Sequence, residues 1–179
     1  MIELVKFAWG RSSFYWGLLL ISPWLIAMKA GFITNQQGKE KLLSHFFGGM
    51  ELKNFNSLCE RFTHEKLPLL IREDAKASIT LHQMNGDVLV VVSASADNWV
   101  KPWCMQQGIK TLCSRLDVKD GRITGLLTGS NCNAEEKVNR IVSEYNPANF
   151  DKVYAYGDSS GDNQMLALAT HPYYRVFKS

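Results

Sequence analysis

Several kinds of site are missing from this 179-residue sequence, and each absence excludes a class of protein. The four cysteines, Cys59, Cys104, Cys113 and Cys132, form no Cys-x-x-Cys pair, and the four histidines form no cluster with them. This excludes zinc-finger and thioredoxin-like proteins. The formal net charge is only +3 and no basic run occurs, so the chain has no electrostatic footprint for DNA or RNA. We therefore expect no nucleic-acid partner.

Signals for secretion and lipidation are also absent. The sequence has no Asn-x-Ser/Thr glycosylation site and no C-terminal prenylation motif. Apolar residues make up 46% of the chain, which is enough for the buried core of one domain or of one domain with a small insert. We expect reduced, structural thiols and a cytoplasmic protein.

One apolar stretch, residues 14–28, raises the question of a membrane. It is shorter than the roughly 18 to 20 residues that cross a bilayer, and Pro23 interrupts it. Lys6, Arg11 and Lys29 flank it. A membrane span, a signal peptide and a membrane-surface helix are the alternatives. The favoured prediction is a pair of helices, separated or kinked at Pro23, that buries most of its apolar face.

The remaining pattern divides the chain into a helical first part and a part that alternates helices with strands. Thr34 is a helix N-cap, and the helix it begins ends at Gly48; apolar residues at 55, 58, 59 and 62 repeat at helical spacing. A helix at 73–85 precedes an unbroken apolar run at 88–92, which predicts a strand buried on both faces of a parallel sheet. Strand and helix repetition of this kind predicts a doubly wound α/β core.

Further elements are predicted beyond residue 92. They are a helix at 98–107, a strand at 111–116, a hairpin that turns at Asp120 and Gly121 and decorates the sheet edge, a helix at 133–145 with the capping-box pair Asn133 and Glu136, a strand at 152–156, a helix at 163–169 and a strand at 173–177.

Two carboxylates, Asp158 and Asp162, lie four residues apart directly after the strand predicted at 152–156. Ligands of open α/β sheets bind beyond the carboxyl ends of the strands. Oxygen ligands without Cys or His select a hard cation, and Mg²⁺ takes one or two carboxylates together with phosphate oxygens. The alternative is that both residues only cap the helix that follows.

Two further segments have residues suited to an anion. Ser93 and Ala94 follow the strand at 88–92, where a hydroxyl and backbone N–H groups can bind phosphate oxygens, although such a serine is often only a turn residue. Lys137 lies in the first turn of a helix, where a cation opposes the helix dipole. Its position suggests a nearby phosphate or carboxylate; a solvated lysine is the alternative.

These segments together resemble a known family. The runs VLVVVSAS, NCNAEEKV and YAYGDSSGDNQML, in this order, resemble motifs II, III and IV of the haloacid dehalogenase (HAD) superfamily. The intervening KDGRITG and the closing HPYYRVF are similar to its phosphoserine-phosphatase-like branch. The resemblance implies a HAD-like Rossmann-type core at residues 73–179 and a helical cap at residues 1–72.

The resemblance also implies an activity and its residues. The family hydrolyses phosphomonoesters with Mg²⁺, which here implies a phosphorylated small molecule or a lipid-like phosphate as substrate. Ser93 and Lys137 match catalytic and phosphate-binding positions, with Ala94 beside them, and Asp158 and Asp162 match the metal site. Arg72, near the junction of cap and core, is the arginine of first interest for substrate binding.

One part of the family pattern is absent. No Asp-x-Asp pair, the motif that supplies the nucleophilic and the acid/base aspartate, occurs in the sequence. Residues 1–7 correspond to the region after that motif. We expect the first core strand, which lies between the strands that bear Ser93 and Asp158, to be missing through truncation or a misplaced start. The alternative is a non-catalytic module that binds Mg²⁺ and phosphate without turnover.

Overall fold

The computed structural model describes residues 1–177 and has a mixed α/β fold. The α-helices are α1 (Ile2–Lys29), α2 (Asn35–Phe47), α3 (Leu52–Glu65), α4 (Glu73–Met84), α5 (Asp97–Gln106), α6 (Glu135–Glu144) and α7 (Asn163–Leu166). The strands are β1 (Val90–Ala96), β2 (Lys110–Ser114), β3 (Leu116–Lys119), β4 (Arg122–Leu127), β5 (Tyr154–Gly157) and β6 (His171–Tyr174). Residues 178 and 179, at the end of the predicted core, lie outside the described residues.

The strands pair two by two. β1 and β2 are parallel, as are β5 and β6. β3 and β4 form the predicted antiparallel hairpin, with positive φ at Asp120 and Gly121 as its turn chemistry requires. Within residues 1–177, no ladder joins β1 to β5. The predicted α/β sheet is therefore seen as small parallel pairs.

Strand β1 differs from its prediction in place and in burial. It begins at Val90, two residues late, and Val88 is exposed. Residues 90–92 are only half-buried. Burial on both faces was therefore the wrong prediction. The last strand is also displaced, since β6 begins at His171 instead of residue 173.

The β3–β4 hairpin belongs to the main hydrophobic core. Ile123 and Leu127 are buried with side chains of α2 and α3. The N–H of Gly49 donates to the Ile123 carbonyl at 2.8 Å. Gly125 approaches α2 so closely that a Cβ there would lie 2.3 Å from the Cα of Ser44. The prediction that the hairpin only decorates the edge of the sheet is therefore wrong. The division into a helical cap at residues 1–72 and a core at residues 73–179 stays a prediction.

Helix α1 passes through Pro23 without ending there. A proline has no N–H for the carbonyl four residues before it, and here the Ser22 hydroxyl donates to that carbonyl, of Leu19, at 2.7 Å. The non-helical backbone is at Gly10, with φ 79° and ψ 166°. The predicted separation of two helices at Pro23 is therefore wrong. The break in the helical backbone falls at Gly10, which adopts a positive φ without steric cost.

The burial of α1 also differs from the prediction. Phe14, Gly17 and Ile21 are buried on one side. On the other side large apolar side chains face solvent, with Trp16 and Leu20 each 68% exposed. Most of the apolar face of residues 14–28 is therefore not buried, because only one side of α1 contacts α2. Among residues 1–177, no helix has the length and hydropathy to cross a bilayer.

Candidate active site

A cavity of about 270 Å³ lies at the carboxyl ends of β5 and β6 and beside β1. Val92 of β1 and Gly157 of β5 both contribute to its wall. This is the edge at which ligands of α/β sheets bind. Its charged lining residues are Arg72, Lys137, Asp158, Asp162 and Arg175.

Lys137 and Asp162 form a buried ion pair in this cavity. The Lys137 Nζ lies 2.9 Å from Asp162 Oδ1, and the two side chains are only 8% and 10% exposed. The ammonium also donates to the Val92 carbonyl at 2.6 Å. A buried pair needs such additional hydrogen bonds to offset its desolvation. The first turn of α6 is thus tied both to β1 and to the loop after β5.

The second carboxylate oxygen of Asp162 is also occupied. Asp162 Oδ2 accepts from the N–H of Asp158 at 3.2 Å, and from the N–H and hydroxyl of Ser159 at 3.0 and 2.7 Å. Burial alone would raise the pKa of Asp162, but hydrogen bonds from Lys137 and Ser159 outweigh it and lower that pKa. Asp162 is therefore an ionised positioning residue of this loop.

Asp158 has a different environment. Its side chain is 63% exposed, and Oδ2 lies 3.7 Å from Nη2 of Arg72. The same arginine donates from Nη1 to the Phe177 carbonyl at 3.2 Å. The backbone carbonyl of Asp158 accepts from Nε of Arg175 at 3.0 Å. The Asp158 carboxylate is thus accessible to a ligand at the cavity.

The carboxylate oxygens at the cavity fit a magnesium ion that few protein groups hold. Residues 1–177 contain no cluster of three or more His, Cys, Asp or Glu side chains that could hold a metal ion. Mg²⁺ commonly keeps several waters and binds through one or two carboxylates and the substrate phosphate. Asp158 offers such a carboxylate. Two carboxylates aimed at one cation, as the spacing predicted, are not seen, because Asp162 is turned toward Lys137.

Ser93 and Ala94 lie beside the cavity. The Ser93 hydroxyl accepts from the N–H of Ser95 at 3.1 Å, and the Ala94 carbonyl accepts from Lys39 of α2. Among the described residues the cavity wall includes Val92 but neither of these two. The structure thus brings Lys137, Asp158 and Asp162 together at the cavity. Ser93 and Ala94 follow the lining residue Val92 by one and two residues along the chain.

The predicted capping box at α6 is wrong. The N-cap is Ala134, at φ 50°, and no side chain caps the helix. Asn133 instead packs on the loop after β5, where a Cβ on Gly161 would lie 2.0 Å from its Oδ1. The N–H of Ala134 donates to the Gly161 carbonyl at 3.0 Å. A tertiary contact thus takes the residue that local spacing assigned to a cap.

Sequence reasoning missed two basic residues near the site. Arg175 follows the end of β6, so the strand-end rule that selected Asp158 would have found it. Lys39 donates to Asn131 Oδ1 at 2.9 Å, and burial lowers its pKa to about 8. No sequence signal marks Lys39, because the segment it contacts lies far away along the chain.

Comparisons with known proteins show the family of this chain. The model of the family described as haloacid dehalogenase-like hydrolase matches residues 1–167. Protein CicA of Caulobacter vibrioides is 36% identical over 166 residues, which is 90% of this chain and 73% of that protein. A probable phosphatase of Mycobacterium tuberculosis is 30% identical over 134 residues, 72% of this chain and 46% of that protein.

Solved structures share the fold. A phospho-aspartyl intermediate analogue of phosphoserine phosphatase superposes with a TM-score of 0.58 at 22% identity, covering 94% of this chain and 75% of that one. At this identity the likeness concerns the fold alone.

Proposed function

This chain belongs to the haloacid dehalogenase-like hydrolases, and we propose that its site binds phosphomonoesters together with Mg²⁺ for hydrolysis. The observation that carries the proposal is the contact of Lys137 with both Asp162 and the Val92 carbonyl. This contact joins all three segments that resemble the family motifs at one cavity. Family membership places the chain among hydrolase-like proteins; the phosphatase activity, the metal, the residue roles and the substrate are the proposed part.

Each residue has a role in phosphate binding. The Lys137 ammonium has three N–H donors, of which two are used, so one remains for a phosphate oxygen. Ser93 and Ala94 would add a hydroxyl and backbone N–H groups. Asp158 would hold Mg²⁺, which supplies charge neutralisation of the phosphoryl oxygens when bound. Arg72 adds positive charge to the lining and is placed to attract a phosphate dianion.

The nucleophile is proposed to come from a further strand. The 179 residues contain no Asp-x-Asp pair, and β1 and β5 share no ladder among the described residues. A strand added between them would complete one doubly wound sheet and would place an aspartate beside the phosphate site. Its carboxylate would attack phosphorus, the second aspartate would protonate the leaving alcohol, and water would hydrolyse the aspartyl phosphate.

The charged lining of the cavity suggests the chemistry of what is bound. Arg72, Lys137 and Arg175 supply positive charge that suits a phosphate group. We propose a phosphorylated small molecule or the headgroup of a lipid-like phosphate as substrate.

A second candidate function follows from the absent Asp-x-Asp. The same residues would act as a module that binds Mg²⁺ and phosphate without turnover. The two candidates differ in hydrolysis and agree in binding, so an experiment must measure both.

Hydrolysis of para-nitrophenyl phosphate with Mg²⁺ is the test. We expect residues 1–179 to bind phosphate without turnover, and the same residues joined to an N-terminal strand that bears Asp-x-Asp to turn over. Turnover should be lost with Lys137→Met. Robust turnover by residues 1–179 alone would overturn the proposed nucleophile. Binding without turnover in the joined form favours the binding module, and absence of both contradicts the phosphate site.

A further inference from the structure

Helix α1 carries an apolar surface outside its buried side, with Trp24 at the edge next to Lys41 of α2. We call it the outer face; its members are Trp16, Leu19, Leu20, Trp24 and Ile26, all exposed. Leu19 and Leu20 follow Trp16 by three and four residues, Trp24 follows Leu20 by four, and Ile26 follows Leu19 by seven, so they lie along one side of the helix. Soluble monomers rarely expose a contiguous apolar surface of this kind, and one that they do expose marks an interaction site.

The opposite side of α1 is committed to the protein. Phe14, Gly17 and Ile21 are buried, and a Cβ on Gly17 would lie 2.2 Å from the Phe46 ring. A helix held so closely along α2 has only its outer face available. Any apolar medium that covers this face would therefore lie alongside α1, with the helix parallel to its surface.

The charged residues of the segment that carries the outer face have one sign. No Asp or Glu occurs between Glu3 and Glu40. Within residues 1–177, no carboxylate forms a salt bridge with Arg11, Lys29 or Lys41. The Lys41 Nζ lies over the Trp24 ring, 4.8 Å from its centroid. The apolar face is thus bordered by cations, which an anionic surface complements.

We propose that the outer face of α1 binds the surface of an anionic lipid bilayer. Tryptophan prefers the interface between water and hydrocarbon, and Lys and Arg extend from it to lipid phosphates. A second copy of the chain fits less well. In a two-fold dimer the same face meets itself, so cations would oppose cations without an acidic partner. The binding does not depend on the hydrolase activity, because none of these residues lines the active-site cavity.

Vesicle flotation of the full 179-residue chain tests this surface. We expect it to float with vesicles of phosphatidylcholine and phosphatidylglycerol and to float less with phosphatidylcholine alone. Trp16→Gln with Leu20→Gln should lower the partition coefficient at least about tenfold, since burying one large apolar side chain contributes that much. Arg11→Gln and Lys29→Gln should each lower it about fivefold on the anionic vesicles.

Matched controls separate the outer face from general stickiness. Leu69→Gln with Met105→Gln changes two apolar side chains that are equally exposed elsewhere, and should leave flotation unchanged. Circular dichroism should show that all variants fold. Failure of the chain to float with anionic vesicles overturns the proposal, as does equal loss in both double variants. A dimer in light scattering that Trp16→Gln and Leu20→Gln dissociate, without vesicle binding, assigns the face to self-association instead.

Discussion

Removing the Lys137 ammonium should destabilise the protein through the charge it leaves behind. Lys137→Met would leave the Asp162 carboxylate buried, with only the donors of Asp158 and Ser159. Breaking a buried ion pair costs about 3 to 5 kcal/mol. Because three hydrogen bonds to Asp162 remain, we expect about 3 kcal/mol, measured as the change in free energy of unfolding in urea.

A double-mutant cycle isolates the contribution of the pair. Asp162→Asn alone should also destabilise, whereas the double variant should lose at least about 1.5 kcal/mol less than the sum of the two single variants. The exposed pair Arg61 and Glu65, whose side chains are 67% and 55% exposed, provides the control. Its coupling should be about 0.3 to 0.5 kcal/mol. Equal coupling for both pairs would refute the buried ion pair.

The same pair predicts a pH dependence. The hydrogen bonds that outweigh burial lower the pKa of Asp162 in the folded chain, so Asp162 binds a proton more readily when unfolded. Its stabilisation is complete above the unfolded pKa of about 4 and is lost as pH falls through the folded value. As the pH falls from about 5 to about 3, the free energy of unfolding of the wild type should decrease more than that of Asp162→Asn. Parallel pH profiles would contradict this.

Three further predictions concern the metal, Lys39 and the hairpin. Asp158→Asn should abolish the rise in melting temperature that Mg²⁺ produces, and an undiminished rise would disprove this ligand. Burial lowers the pKa of Lys39 to about 8, so above that pH the unfolded chain binds a proton that the folded chain has lost. The free energy of unfolding of the wild type should therefore rise relative to that of Lys39→Met from about pH 8 to pH 10, and a difference that stays constant with pH would contradict this. Gly86→Ala should lower the free energy of unfolding in urea by about 1 to 2 kcal/mol, and Gly125→Ala should lower it by more. Both glycines have a positive φ, but only at Gly125 would the added Cβ collide with a neighbouring backbone, that of Ser44, so similar losses would refute the close approach.

Local sequence patterns predicted most elements well. The Thr34 cap, the hairpin turn at Asp120 and Gly121, and the helices α2 to α5 depend on residues within a few positions of one another. Such interactions are encoded where they act. The placement of Asp158 at a strand end followed from a rule of the fold class, and it holds in the structure.

Other features depend on contacts between distant segments. Asn133 has the spacing of a cap but packs on Gly161, and Lys39 donates to Asn131 in a distant segment, where burial lowers the pKa of Lys39. Neither contact leaves a periodic or local signal, because the partner's distance along the chain is unconstrained. Burial of the β1 strand was likewise mispredicted, since an apolar run shows a preference for burial without showing what covers it.

The sequence by itself determined the α/β character of this protein, its family motifs and the residues proposed here for phosphate and Mg²⁺, because side-chain chemistry and local spacing carry that information. Only the tertiary structure decided that Asp162 pairs with Lys137 while Asp158 remains accessible, and that one side of α1 stays exposed. The two carboxylates are the same residue type, four positions apart. Their different roles arise from which neighbours the folded chain brings to each, and that depends on the packing of the whole molecule.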